Sequence, residues 1–215
     1  MATVILIRHG ENDWVKKHRL AGWIEGVHLN ENGRSQAKDA AKRLSKLTLN
    51  ALYSSPVTRC VETAEYIAKS QKLKINELAD VGEVRYGEWE GKKINTLASK
   101  PEWQAVQYYP SRFQFPKGEA LREVQFRAIQ ALEKLSATHG DELIAVISHA
   151  DLIKLILAHY LGVHIDLFQR IVIDPASMSV VALRANGVVR VVRVNDTGPL
   201  TMPKPADDKA KKKKK

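Results

Sequence analysis

The chain has 215 residues, 44% of them hydrophobic, with four Trp, six Tyr and a formal net charge of +10. That composition excludes a disordered polymer and suits one globular domain. No apolar run approaches the ~20 residues that cross a bilayer, so no membrane partner is expected. Residues 1–8 lack the basic start and small-residue cleavage site of a signal peptide. The single cysteine, Cys60, rules out an internal disulfide and suits a reducing compartment, so a cytoplasmic location is expected. Residues 200–215 hold seven lysines against two aspartates, which leaves only +5 for the rest of the chain. The expected division is therefore a domain over 1–199 and a disordered, solvated lysine-rich tail over 200–215, with no specific nucleic-acid partner.

In chain order, residues 4–7 (Val-Ile-Leu-Ile) form a short, wholly apolar run, as in a strand buried on both faces. Asn30 is a candidate cap for a helix carrying Ala37, Ala40, Ala41 and Leu44 at helical spacing. Residues 51–54 read as a second strand, and Ser55-Pro56 as the start of another helix with Pro in its first position. Residues 80–118 are rich in Gly and Pro, yet hold Trp89, Trp103, Tyr108, Tyr109, Phe113 and Phe115. Such a segment is too aromatic for a linker. It reads as a packed insertion, about 85–118, that covers a site, with Trp89 as a wall. A long amphipathic helix is expected from Leu121 to Leu135, a strand over 143–147 and an apolar helix over 150–161. Two further strands flank Asn186-Gly187, a strong hairpin signal. Alternating strands and helices predict a three-layer α/β/α sandwich with a mainly parallel central sheet.

The chemistry starts at Arg8-His9-Gly10, directly after the first strand, because ligands bind at the carboxyl ends of strands in open α/β sheets. Arg8 can fork onto phosphate oxygens, and Gly10 lets the backbone turn closely. Ser148-His149-Ala150 repeats this placement after the third strand, and Arg59 falls just beyond the second. If these ends converge, two arginines and two histidines meet where helix N-termini also aim N–H groups, which describes a phosphate pocket. Other chemistries fit less well. Cys60 is followed by no arginine through residue 67, which argues against a thiol phosphatase, and its expected role is buried packing. His18, His28, His139, His159 and His164 are scattered, so no metal site is expected.

Several stretches recur together in an order that resembles the histidine phosphatase superfamily, in its phosphoglycerate-mutase-like branch. They include Leu6-Ile7-Arg8-His9-Gly10-Glu11, Gly22-Trp23, Leu29-Asn30-Glu31-Asn32-Gly33, Tyr53-Ser54-Ser55-Pro56-Val57-Thr58-Arg59, Glu83-Val84-Arg85-Tyr86-Gly87, Pro116-Lys117-Gly118-Glu119 and Val146-Ile147-Ser148-His149. The resemblance implies His9 as nucleophile, with Arg8, Arg59 and His149 holding phosphoryl oxygens. It also implies Glu83 as general acid; Glu88 and Glu90 are rivals that spacing alone leaves open. Asn12, Gly22 and Ala150 complete the expected phosphate and substrate contacts. Asn12 stands where relatives often have Thr or Ser, Val15 where many have Asn, and Ala150 where Gly is frequent.

The implied reaction is hydrolysis of a small phosphorylated metabolite, without metal or organic cofactor. A mutase is the alternative, but no Arg-Arg pair marks a carboxylate grip; the insertion offers scattered Arg85, Lys92, Lys93, Arg112 and Lys117. Its aromatics suggest a broader or more apolar organic group. A non-catalytic phosphate-binding protein is the alternative of another class, and the full set of nucleophile, cations and acid speaks against it. The sequence leaves the natural substrate and any homo-oligomer open.

Overall fold

The computed structural model describes residues 2–184 and 187–198. The expected tail over 200–215 and Asn186 of the hairpin signal lie outside the described residues. Six strands form one sheet: β1 (Ala2–Arg8), β2 (Ala51–Ser54), β3 (Ile75–Glu77), β4 (Leu143–Ser148), β5 (Met178–Leu183) and β6 (Val189–Asp196). Their order is β3-β2-β4-β1-β5-β6. The β3-β2, β2-β4 and β4-β1 pairs are parallel, and β5 runs antiparallel to both β1 and β6.

Seven α-helices accompany the strands among the described residues: α1 (Asp13–Lys16), α2 (Glu31–Leu44), α3 (Thr58–Gln71), α4 (Ile94–Ala98), α5 (Pro101–Tyr108), α6 (Leu121–His139) and α7 (Ala150–Tyr160). Side chains alternate across a strand, so β1 supplies two cores. Val4 and Leu6 pack with α6, α7 and the middle segment, whereas Ile5 and Ile7 pack with α2 and α3. Helices on both faces of a buried, mainly parallel sheet make the three-layer sandwich. Each fully buried Leu or Ile of β1 contributes on the order of 1.5–3 kcal/mol to that packing.

Two local readings change. Helix α3 starts at Thr58, not at Pro56, with Val57 as its N-cap. The Ser55 hydroxyl accepts from the Val57 N–H at 3.3 Å and lies 2.8 Å from His149 Nε2, so Ser55-Pro56 is a turn committed to the site. The Trp89 ring also packs inward instead of walling the cavity, although Tyr86 and Ile94 of the same segment do line it. Trp89 lies against Trp103, Phe113 and Phe115, with ring centroids 6.0, 5.5 and 5.3 Å away, while Tyr108 and Tyr109 are exposed.

Candidate active site

Three strand ends converge. At the end of β1, the His9 N–H donates to the Ser148 carbonyl at 3.0 Å; after β2, the Ser55 N–H donates to the Ile147 carbonyl at 2.9 Å. The Gly10 N–H donates to Thr63 Oγ1 at 3.1 Å, and that hydroxyl donates to the Arg59 carbonyl at 2.7 Å. A side chain on Gly10 would strike the Gly33 backbone, so the close turn after His9 requires glycine. These contacts bring His9, Arg59 and His149 together in the interior, where each is at most 3% exposed.

Arg59 organises the centre. Its Nε donates to His9 Nε2 at 3.1 Å, and its Nη2 donates to the Gly22 carbonyl and to His149 Nδ1, both at 3.0 Å. An arginine N–H can only donate, so His9 Nε2 carries the lone pair. The proton then sits on His9 Nδ1, which donates to the Gly10 carbonyl at 2.7 Å. The same logic gives His149 a lone pair on Nδ1 and a proton on Nε2, which donates to Ser55 Oγ. Burial first, then the charge of Arg59, holds both imidazoles well below the usual histidine range; Arg8 acts in the same direction. The rings stand edge to face, 5.2 Å apart.

Buried donors collect around them. Among the described residues, Arg8 Nε, Asn12 Nδ2 and Arg59 Nη1 are buried without a protein acceptor. Buried polar groups rarely stand unpaired in proteins, so three in one cavity wall form a set of donors free to hold an anion. Each belongs to a side chain already anchored elsewhere. Arg8 Nη1 donates to the Ile173 carbonyl at 2.7 Å, and Asn12 Oδ1 caps α1 by accepting from Trp14 N and Val15 N, both at 2.9 Å.

Glu83 faces this cluster. Its Oε1 accepts from Val84 N at 3.0 Å, and its Oε2 lies 3.6 Å from His149 Nδ1 and 3.9 Å from Arg59 Nη2. Arg59 is too distant to bond, so burial prevails: desolvation, reinforced by the charge of Asp151, pushes the Glu83 carboxyl up to about 7. The rivals separate. Glu88 is half exposed and pairs with Lys117 at 2.9 Å, and Glu90 does not line the cavity.

The cavity has a volume of about 380 Å³, and Arg8, His9, Asn12, Arg59, Glu83 and Ala150 all line it. Gly22 and Trp89 do not. Gly22 is set back from the wall; its φ of +51° turns its carbonyl to Arg59, so it orients that arginine. Trp89 is excluded because its ring is engaged in the aromatic cluster. His149 stands just behind the wall, linked to it through Arg59.

The sequence reading missed Tyr86 and Asp151. The Tyr86 hydroxyl donates to Asp151 Oδ2 at 2.9 Å, and both line the cavity. Asp151 follows Ala150 in the first turn of α7, a position where an acidic residue also reads as an ordinary helix-start preference. Among the described residues, no three His, Cys, Asp or Glu side chains cluster as a metal site. Cys60 is buried, with Sγ 3.3 Å from His149 Nε2, and burial pushes its thiol up to about 12.

Residues 4–197 match the histidine phosphatase superfamily, branch 1. The chain belongs to this superfamily. It is 31% identical over 195 residues to phosphoserine phosphatase 1 of Hydrogenobacter thermophilus, covering 89% of this chain and 92% of that one. Phosphoglycerate mutase-like protein 4 of Arabidopsis thaliana is 33% identical over 159 residues, 71% of this chain and 68% of the relative. Among solved structures, Bacillus stearothermophilus YhfR superposes with a TM-score of 0.85 at 27% identity, covering 91% of this chain and 98% of that one.

Proposed function

We propose that the protein hydrolyses a small phosphate monoester through a phosphohistidine on His9. The observation that carries this reading is the His9 Nε2 lone pair, held neutral beside three buried N–H donors without protein partners. Substrate phosphate takes the free N–H groups of Arg8, Asn12 and Arg59, and the Arg59 Nε–H moves from His9 to a phosphoryl oxygen. That shift releases the lone pair for attack. Negative charge arriving beside His149 favours its protonation, so it too can donate to phosphate.

As the Nε2–P bond forms, the P–O bond to the alcohol breaks, and protonated Glu83 gives its proton to the departing oxygen. The Glu83 carboxylate then takes a proton from water, which attacks phosphorus and breaks the P–N bond. Orthophosphate leaves and the His9 lone pair is restored. A carboxyl poised at about 7 is suited to both steps. Tyr86 and Ile94, from the 85–118 segment, stand in the cavity wall and support a partial roof there. A single buried cysteine supports a reducing compartment, the cytoplasm. Among the described residues, no helix is long and apolar enough to cross a membrane.

The test is rapid quenching with labelled substrate. Acid-labile, base-stable phosphate should appear on the wild type and be absent from His9→Ala, which should also lose hydrolysis. Full activity of His9→Ala would overturn the reading. Adding acceptor alcohols to the same assay separates transfer to water from mutase-type transfer.

A further inference from the structure

The cavity extends well beyond the phosphate donors, and its outer half differs in chemistry. Val15 and Leu20, Ile94 at the start of α4, and Ile171 and Val172 all line it. Val172 is 61% exposed, an aliphatic side chain held at the mouth rather than packed in a core. None of these belongs to the aromatic cluster, so the apolar wall comes from α1 and the loop after it, the start of α4 and the segment preceding β5.

The charged side chains Lys154, Arg19 and Asp174 already hold protein partners. Lys154 Nζ donates to Asp151 Oδ1 at 3.2 Å and to Gln169 Oε1 at 2.9 Å. Arg19 donates through both Nε and Nη2 to the Gly91 carbonyl and lies over the Trp14 ring, 4.7 Å from its centroid. Asp174 also lines the cavity and accepts from Asn195 Nδ2 at 2.8 Å. Lys154 is thus held by a carboxylate and an amide oxygen, and Arg19 by a backbone carbonyl. A second anion on the substrate would have to compete with Asp151 for Lys154.

We propose that this outer half is a leaving-group subsite for an uncharged, apolar organic group. The favoured substrates are then monoesters of apolar alcohols rather than compact esters that carry a second anion. A volume of about 380 Å³ is in the range that encloses a whole organic molecule, and the phosphate occupies only the inner end. This inference rests on the hydrolytic reading above, and the experiment separates the two.

The probes are n-alkyl phosphates from methyl to hexyl, O-phosphoserine and 3-phosphoglycerate, with n-alkylphosphonates, which cannot be hydrolysed, measured by calorimetry. On the wild type, kcat/KM should rise about threefold to fourfold per added methylene until the cavity is filled, and phosphonate Kd should fall in step. Butyl phosphate should exceed both anionic esters. Val172→Asp, at an exposed position that the fold tolerates, should flatten both series. A phosphonate slope without hydrolysis of any ester would keep the subsite and overturn the hydrolase. A flat series in either measurement with hydrolysis intact, or preference for either anionic ester, would overturn the subsite.

Discussion

Arg127, in the middle of α6, donates through Nη2 to the backbone carbonyl of Glu83 at 2.9 Å. The same guanidinium donates through Nη1 to the Gly82 and Asp80 carbonyls, and through Nε to Glu119 at 2.9 Å. Trp23 Nε1 adds a second bond to the Glu83 carbonyl at 2.7 Å. The candidate acid thus sits on a loop fixed by a fork that lysine cannot reproduce. Arg127→Lys should leave substrate binding nearly intact and lower kcat. The loss should be roughly 10- to 100-fold for alkyl esters, because a small displacement of the acid is costly. Steady-state kinetics would show it, and a change confined to KM would refute the positioning role.

The raised carboxyl of Glu83 makes two pH predictions. A general acid must be protonated, so hydrolysis of alkyl esters should fall as pH rises through about 7, and Glu83→Gln should remove that limb. For stability, the folded carboxyl holds its proton more tightly than the unfolded one. Its contribution is therefore complete below about 4.5 and is lost as pH rises through about 7. Glu83→Gln should match the wild type at pH 4 and exceed it at pH 8.5 by on the order of 3 kcal/mol. Urea unfolding at the two pH values measures this. Equal gaps at both would exclude a raised carboxyl.

Asp151 supplies part of that shift through its charge. Asp151→Asn keeps an oxygen for the Tyr86 hydroxyl but removes the charge, so Glu83 should release its proton more readily. The alkaline limb of the alkyl-ester profile should move to lower pH, with a greater loss of activity at pH 8 than at pH 6. Tyr86→Phe, which removes only the hydroxyl, should leave the limb in place. A limb that stays put in Asp151→Asn would show that burial alone raises Glu83.

The layers were legible because β1 and β4 are short apolar runs and α2 and α6 carry clear stripes. Arg8, His9, Arg59 and His149 were legible because each ends or follows a strand, and strand ends in a parallel sheet share one edge. Other features depend on contacts between distant segments. Nothing local says that Ile171 and Val172 share a cavity with Val15 and Ile94, nor that Trp89 turns away to stack on Trp103. The bond from Arg59 to the Gly22 carbonyl is likewise invisible locally, because it joins residues 37 positions apart. Arg127 was invisible for the same reason: on its helix it is an ordinary polar position, and only the tertiary fold brings the Glu83 loop to it.

Asn12 performs two separable tasks. Its Oδ1 caps α1, and its Nδ2 is buried in the cavity wall without a protein acceptor. Aspartate caps as well as asparagine, so Asn12→Asp should keep the thermal stability. The same change replaces an N–H donor with a carboxylate oxygen facing the substrate phosphate. kcat/KM should fall by roughly 10²- to 10³-fold, the usual loss when a donor to developing charge is removed. Asn12→Ala removes both functions and should also cost about 1 kcal/mol of stability. Thermal melts paired with kinetics distinguish the cases: if Asn12→Asp melts like the wild type and turns over like it too, Nδ2 is no part of the phosphate site. If it melts normally but turns over poorly, the amide hydrogen is what the site requires.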